Sequence, residues 1–288
     1  MKIGITGASG FIGSEVFRSA VRNGHGVVPF SRRPSAEARQ FSTEASPDVS
    51  GLEAVVNLAG ESIMGLWTRD KKRRIHDSRV LGTRRLVEAM AVAKDGPRVL
   101  INASAIGFYG DTGDREVDES TPSGEGFLAE IARAWELEAM RAEEYGIRVV
   151  CVRIGFVLGR GGALRLVAPV FRMGLGGRLG NGRQWMSGVH LDDVAGIILW
   201  ALEDGNVRGP VNAVMPEPFR NAEFTRELGR AVHRPAILPA PAFALRLGLG
   251  ELSHLMLDSM RVRPRAAADG GYVFQFATLP AALQDVLA

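Results

Sequence analysis

Gly7-x-x-Gly10-x-x-Gly13 follows the short apolar run Lys2 to Thr6 directly and opens a helical pattern that ends near Asn23-Gly24. Glycines at that spacing between a strand and a helix suit phosphate chemistry. The first makes the tight turn, the second lets a pyrophosphate approach the backbone, and the third lets the helix pack close to the sheet. Ser9, Gly10, Phe11, Ile12 and Gly13 then offer backbone N–H groups at the positive end of a helix dipole. Among 35 glycines the spacing alone decides little. Its place between strand and helix is what points to a dinucleotide.

The second strand, Gly26 to Phe30, ends in Ser31-Arg32-Arg33. An NAD-selective site commonly carries an acid here for the ribose 2′-hydroxyl. Two arginines suit a 2′-phosphate instead, so NADP(H) is expected, with NAD(H) less favoured. Farther on, Arg183, Gln184 and Trp185 sit in a glycine-rich stretch where an indole could close over a substrate or the nicotinamide. Other candidates are weaker. The basic run Arg69-x-Lys71-Lys72-Arg73-Arg74 reads as a solvated helix face with no nucleic-acid module beside it. His233 and His254 lack the spacing of a metal site, and no metal is expected. Cys151 lies in Val149-Val150-Cys151-Val152, a buried strand more than a nucleophile.

These residues need a scaffold, and short apolar runs alternate with helical ones. Val55 to Leu58, Val99 to Asn102 and Arg148 to Arg153 read as further strands. Helical runs end near Met90 and span Phe127 to Tyr145. The alternation predicts an α/β fold with a Rossmann-like, mostly parallel sheet, helices on both faces and a smaller C-terminal substrate or partner lobe. Residues 34–54 leave little room for a full helix and strand, so one crossover is expected to be abbreviated. The expected Rossmann core covers 1–160, with 188–215 returning to it, and 161–187 and 216–288 form the smaller lobe.

The 288 residues, 46% of them hydrophobic, can bury a full core, so disorder is not the expectation. A formal charge of only +3 gives no reason to expect nucleic acid. No apolar stretch reaches the length of a membrane span and no signal-peptide order opens the sequence, so a cytoplasmic location is expected, with no membrane partner. The lone cysteine suits a reducing compartment.

Several motifs together resemble the extended or atypical short-chain dehydrogenase/reductases, in the NAD-dependent epimerase-like subgroup with a characteristic C-terminal domain. They are Thr6 to Gly13, Asn57-Leu58-Ala59-Gly60-Glu61, Asp77-Ser78-Arg79-x-x-Gly82-Thr83, Ser104 to Gly110, Arg153-Ile154-Gly155-x-Val157-Leu158-Gly159, Gly176 to Trp185 and His190-x-Asp192-Asp193. The C-terminal counterpart runs from Pro239-Ala240-Pro241 through Glu251 and Pro264-Arg265 to Leu283. The resemblance implies that Leu58, Ala59 and Gly60 approach the cofactor, that Glu61 reaches a substrate or orients Arg79, and that Ser104 and Tyr109 lie near the nicotinamide. It also makes a homodimer plausible.

One part of that pattern is missing. The family's Tyr-x-x-x-Lys pair, whose lysine lowers the tyrosine pKa, belongs in Gly126 to Arg133, which has neither residue. The chain has 31 arginines but four lysines, none beyond Lys94. Ser104 also stands one residue farther from Tyr109 than in the commoner motif. Tyr109, Glu130, His190 or water could supply a proton. The expected function is an NADP(H)-dependent oxidoreductase or epimerase-like enzyme acting on a small or sugar-like carbonyl or alcohol. The alternative is a non-catalytic dinucleotide-binding protein that serves a regulatory partner.

Overall fold

The computed structural model describes residues 1–32 and 38–288. Its centre is one all-parallel sheet of seven strands: β1 (Lys2–Thr6), β2 (Gly26–Ser31), β3 (Arg39–Gln40), β4 (Ala54–Asn57), β5 (Val99–Ala105), β6 (Arg148–Ile154) and β7 (Gly209–Ala213). Their order is β7-β6-β5-β4-β1-β2-β3. Strand order reverses between β1 and β4, and a doubly wound sheet opens its ligand crevice there, beyond the carboxyl ends of the strands. The loops after Thr6 and Asn57 flank that crevice.

The sheet is covered on both faces because its strands are apolar on both. One face packs Ile3, Ile5, Val56, Ile101 and Val150 against α1 (Phe11–Arg22) and α5 (Leu191–Glu203). The other packs Val55, Leu100, Val149 and Cys151 against α2 (Arg69–Val92) and α3 (Phe127–Met140). Cys151 is enclosed in that layer, and burial pushes its thiol well above the usual range. The abbreviated crossover leads to a β3 of only two residues. Arg33 lies outside the described residues, as does the segment to 37.

After β6 the chain builds a second lobe. Its core joins Leu164 and Phe171 of α4 (Leu164–Arg172), Phe224 and Leu228 of α6 (Asn221–Ala231), and Leu279, Leu283 and Val286 of the last helix, Leu279–Leu287. Helix α7 (Ala242–Leu249) lies on this lobe with no buried residue. The basic run at the start of α2 forms ion pairs: Lys71 with Glu61 at 2.8 Å, Arg73 with Asp70 at 2.9 Å, and Lys72 with Glu251 of the second lobe. Among the described residues no helix is long and apolar enough to cross a membrane, and no cluster of three or more His, Cys, Asp or Glu could hold a metal ion.

Candidate active site

The glycine turn is as tight as backbone permits. Gly7 has φ +68°, and a Cβ there would lie 2.8 Å from the Leu58 carbonyl oxygen, so the loops after β1 and β4 touch main chain to main chain. A Cβ on Gly13 would overlap the Gly7 carbonyl oxygen. Gly10 caps α1 without a side-chain bond, and the first turn contains no acid. The Gly10 N–H, expected among the phosphate donors, is spent on the Gly7 carbonyl at 2.9 Å, while the N–H groups of the first helical turn and the positive dipole end stay available to an anion. The Phe11 ring fills the space beside Gly159, Gly161 and Gly162, where any Cβ would come within 2.7 Å of it. Part of the glycine-rich region thus serves to seat this ring. Arg32 is exposed at the bend that follows β2.

A buried polar ladder fixes the strand ends that carry these loops. Thr6 Oγ1 donates to Asn57 Oδ1 at 2.6 Å and accepts from the Leu58 and Ala59 N–H groups, both at 3.1 Å. Asn57 Nδ2 donates to Asn102 at 2.7 Å and to Thr83 at 2.9 Å, and Trp135 Nε1 donates to Thr83 at 2.8 Å. Each buried partner is satisfied by another, so Leu58 and Ala59 are held by both neighbouring strands and by α2.

Arg79 brings a charge to this crevice. Its guanidinium carbon lies 3.0 Å from where a Gly60 Cβ would stand, so any side chain there would press on the guanidinium. Nη1 donates to the carbonyls of Glu61 at 2.9 Å and Ile75 at 3.3 Å, and the group lies 5.1 Å from the Trp135 ring centroid. Among the described residues no carboxylate pairs with it. Burial lowers its pKa to about 10, against the pull of the Glu61 charge. The Glu61 carboxylate is instead bonded by Lys71, which holds its pKa down. Glu61 thus orients Arg79 through its main-chain carbonyl.

Ser104 and Tyr109 meet in one network, but inside the protein. Strand β5 runs on to Ala105, so Ser104 turns inward and Ala105 is the exposed residue at the strand end. Ser104 Oγ donates to Glu136 at 2.6 Å. Glu136 takes two bonds from Arg153, at 2.9 and 2.8 Å, and Arg153 Nη1 donates to the Tyr109 hydroxyl at 2.9 Å. The hydroxyl in turn donates to Asn212 at 2.8 Å. Tyr109 is 2% exposed, and burial pushes its pKa up to about 12 despite Arg153. Burial works against the Arg153 cation too, yet its bonds to Glu136 hold it firmly charged. Glu136, Arg153 and Asn212 were not singled out as site residues from sequence. For Arg153 and Asn212 the signal was a charged or amide side chain inside an otherwise apolar strand; Glu136, among Glu130, Arg133 and Glu138 on one helix, gave none. Glu130 is exposed on the first turn of α3, the segment that lacks the tyrosine and lysine.

His190 is occupied elsewhere. Its Nδ1 accepts from the Asp192 N–H at 3.2 Å and caps α5, which fixes the neutral ring as the Nε2–H tautomer. Nε2 lies 3.2 Å from Asp285, within ion-pair range but off the line of a hydrogen bond, and Phe276 stacks on the ring at 3.8 Å. Next to it Asp193, fully buried, accepts from Tyr272 at 3.0 Å and from the N–H groups of Gln275 at 2.8 Å and Phe276 at 2.9 Å. The motif ties the C-terminal segment to α5, where the sequence had suggested a proton donor.

Arg183, Gln184 and Trp185 lie in the second lobe. Trp185 Nε1 donates to Asp114 at 2.9 Å, and the guanidiniums of Arg220 and Arg261 lie 3.9 and 4.8 Å from its ring. Gln184 is buried and spends its amide on the carbonyls of Leu179 and Met256. Arg183 is exposed. Trp185 is thus clamped between cations and is not a free flap.

Residues 3–213 match the model of the NAD dependent epimerase/dehydratase family, and residues 240–286 match a domain of unknown function, DUF1731. The chain is 36% identical over 298 residues to the epimerase family protein YfhF of Bacillus subtilis, covering 100% of this chain and 98% of that one. The crystal structure of the human epimerase family protein SDR39U1 (isoform 2) with NADPH superposes with a TM-score of 0.92 at 31% identity, covering 100% and 99% of the two chains. A nucleoside-diphosphate sugar epimerase from Corynebacterium glutamicum gives a TM-score of 0.84 at 32% identity, with this chain covered in full and spanning 58% of that structure.

Proposed function

The chain belongs to the NAD dependent epimerase/dehydratase family, and on that premise we propose that it is an NADP(H)-dependent oxidoreductase or epimerase-like enzyme acting on a small or sugar-like carbonyl or alcohol. The observation that carries the proposal is the contact of Gly7 with Leu58 beside the uncapped start of α1, a cradle with no room for side chains at the phosphates. In this reading Ser9 to Gly13 hold the pyrophosphate, Leu58 to Gly60 flank the cofactor, and Arg32 meets the 2′-phosphate. The human relative solved with NADPH supports that preference.

Bound NADP(H) would supply or accept the hydride. The protein supplies electrostatics and position. Arg79, on α2, is the fixed cation of the crevice in a chain without the family's lysine; the Glu61 and Ile75 carbonyls and Trp135 set it, and it stabilises negative charge developing on a substrate oxygen. The Ser104–Glu136–Arg153–Tyr109 network holds β5, α3 and β6 in register behind the site. Glu130, exposed at the start of α3, is the acid we assign to the proton step, directly or through water.

The test is titration of purified, cofactor-stripped protein with NADPH and NADH at one salt concentration. Losing a charged hydrogen bond costs about 1.5–3 kcal/mol, so Arg32→Ala should weaken NADPH binding about tenfold or more and leave NADH nearly unchanged. A preference for NADH, or no change in the variant, rejects the 2′-phosphate site. Turnover is then sought across small carbonyls and nucleotide sugars. A second reading, a dinucleotide-binding protein without turnover, draws on the burial of Tyr109. Tight NADPH binding with no product from either panel would favour it.

A further inference from the structure

The exposed apolar side chains are unevenly placed. Among the described residues sixteen large ones are exposed, and half fall in two short stretches of the second lobe. On and just after α4 they are Leu166 (60%), Val170, Met173 and Leu175. The first three fall at helical spacing on one side of α4. On and before α7 they are Ile237, Leu238, Phe243 (73%) and Leu247 (88%).

The two stretches form one surface. Leu238 N donates to Gly176 O at 3.1 Å, Ala240 N to Arg178 O at 2.9 Å, and Arg234 Nε to Arg172 O at 3.2 Å. A Cβ on Gly177 would overlap the Leu238 carbonyl, so the segments lie main chain against main chain.

The charge on this surface is strongly unequal. Neither 163–183 nor 228–250 contains an aspartate or glutamate, although the whole chain has 32. The first stretch carries Arg165, Arg172, Arg178 and Arg183, the second Arg230, Arg234 and Arg246, and all seven are exposed. Between the stretches lies a cleft of about 840 Å³ where Arg178, Arg226, Arg230, His233 and Arg234 converge. Glu227 pairs with Arg226 at 3.0 Å and Arg230 at 2.9 Å, leaving the cleft strongly cationic.

The backbone is shaped to build that cleft. A Cβ on Gly229 would lie 2.9 Å from the Arg234 carbonyl, so the segment after α6 folds back tightly over the helix. His233, at φ +54°, takes the left-handed position where glycine costs least, and among the described residues no other non-glycine has positive φ. The turn keeps a side chain at the cleft where none is needed to end the helix.

Bulky apolar groups ringed by arginine, with Glu227 as the one acid against several cations at the cleft, are the composition of a face that rests on an anionic interface. A second copy of the chain is a poor occupant, since it would set arginine against arginine. We propose that the face formed by 163–183 and 228–250 docks on an anionic phospholipid surface. Phe243 and Leu247 of α7, with Met173 and Ile237, enter the acyl boundary, and the arginine cleft takes headgroup phosphate. This proposal is independent of the cofactor reading.

Flotation of the full chain with vesicles tests it. Binding is expected to an equal mixture of phosphatidylcholine and phosphatidylglycerol but not to phosphatidylcholine alone, and it should weaken with added salt. Phe243→Ser with Leu247→Ser, and separately Arg230→Ser with Arg234→Ser, should each lower partitioning about tenfold or more, with an unchanged far-ultraviolet circular dichroism spectrum as the check that the variants are folded. Failure to float with the mixed vesicles, equal flotation with the neutral ones, or unchanged partitioning of both variants overturns the proposal. So does full competition by soluble glycerol phosphate, which would assign the cleft to a free phosphate ester. Retention on immobilised polyglutamate without flotation would assign the face to an acidic protein and also overturn it.

Discussion

Replacing Tyr109 by Phe separates a buried structural phenol from a proton donor. Burial raises the Tyr109 pKa from 10 to about 12. The folded state therefore holds this proton more tightly than the unfolded chain, and the stability it contributes is complete below pH 10 and lost as pH climbs through about 12. Two pKa units correspond to about 3 kcal/mol. Tyr109→Phe also deprives Arg153 and Asn212 of the hydroxyl, a loss of roughly 1–3 kcal/mol at neutral pH. In urea denaturation the variant should be the less stable protein at neutral pH, and the gap should close or reverse as pH rises from 10 to 12. Tyr272, whose pKa burial and Asp193 also raise, is present in both proteins and cancels in the comparison. With three tyrosines in the chain, the near-ultraviolet difference between the two proteins reports one phenolate. A midpoint at or below 10, or a stability gap that stays constant with pH, would refute the buried-phenol reasoning and return Tyr109 to the list of proton donors.

Two further substitutions probe the cradle and the C-terminal anchor. Gly13→Val forces α1 away from the Gly7 carbonyl and should weaken NADPH binding about a hundredfold or more, read by fluorescence titration with circular dichroism as the check on folding. Asp193→Ala leaves the Gln275 and Phe276 N–H groups without an acceptor and should cost roughly 2–5 kcal/mol, a fall in melting temperature of roughly 5–15 °C by calorimetry.

The parallel sheet was legible in the sequence because its strands are short apolar runs set between helical ones. The glycine turn was legible because it stood between a strand and a helix. Ser104 was harder. Ending β5 at Asn102 makes Ser104 a loop residue, but the strand continues to Ala105, and the alternation of side chains along a strand then turns Ser104 into the protein. His190 read as one of several possible proton sources beside two acids, yet its ring takes the Asp192 N–H as the cap of α5, and Asp193 turns to Tyr272 and the C-terminal backbone, which only tertiary packing reveals. The glycine-rich stretch around Trp185 suggested a loop that could close over a substrate or the nicotinamide. Several of the glycines from 155 to 182 are required by what lies against them: Phe11 beside Gly159, Gly161 and Gly162, Phe171 beside Gly176, and the Leu238 carbonyl beside Gly177. Glycine content shows that something approaches closely, not what approaches.

Asp193 belongs to the stretch matched by the epimerase family model, while two of its partners, Tyr272 and Gln275, belong to the stretch matched by DUF1731. Asn212 likewise donates to the Arg263 carbonyl at 2.9 Å, and Glu119 accepts from the Ala266 N–H at 3.1 Å. A stop codon shortly before position 261 would thus strand a buried carboxylate in α5 and an open seam beside β7. The two matched regions should melt in one cooperative transition, and neither makes a sensible excision product for expression alone.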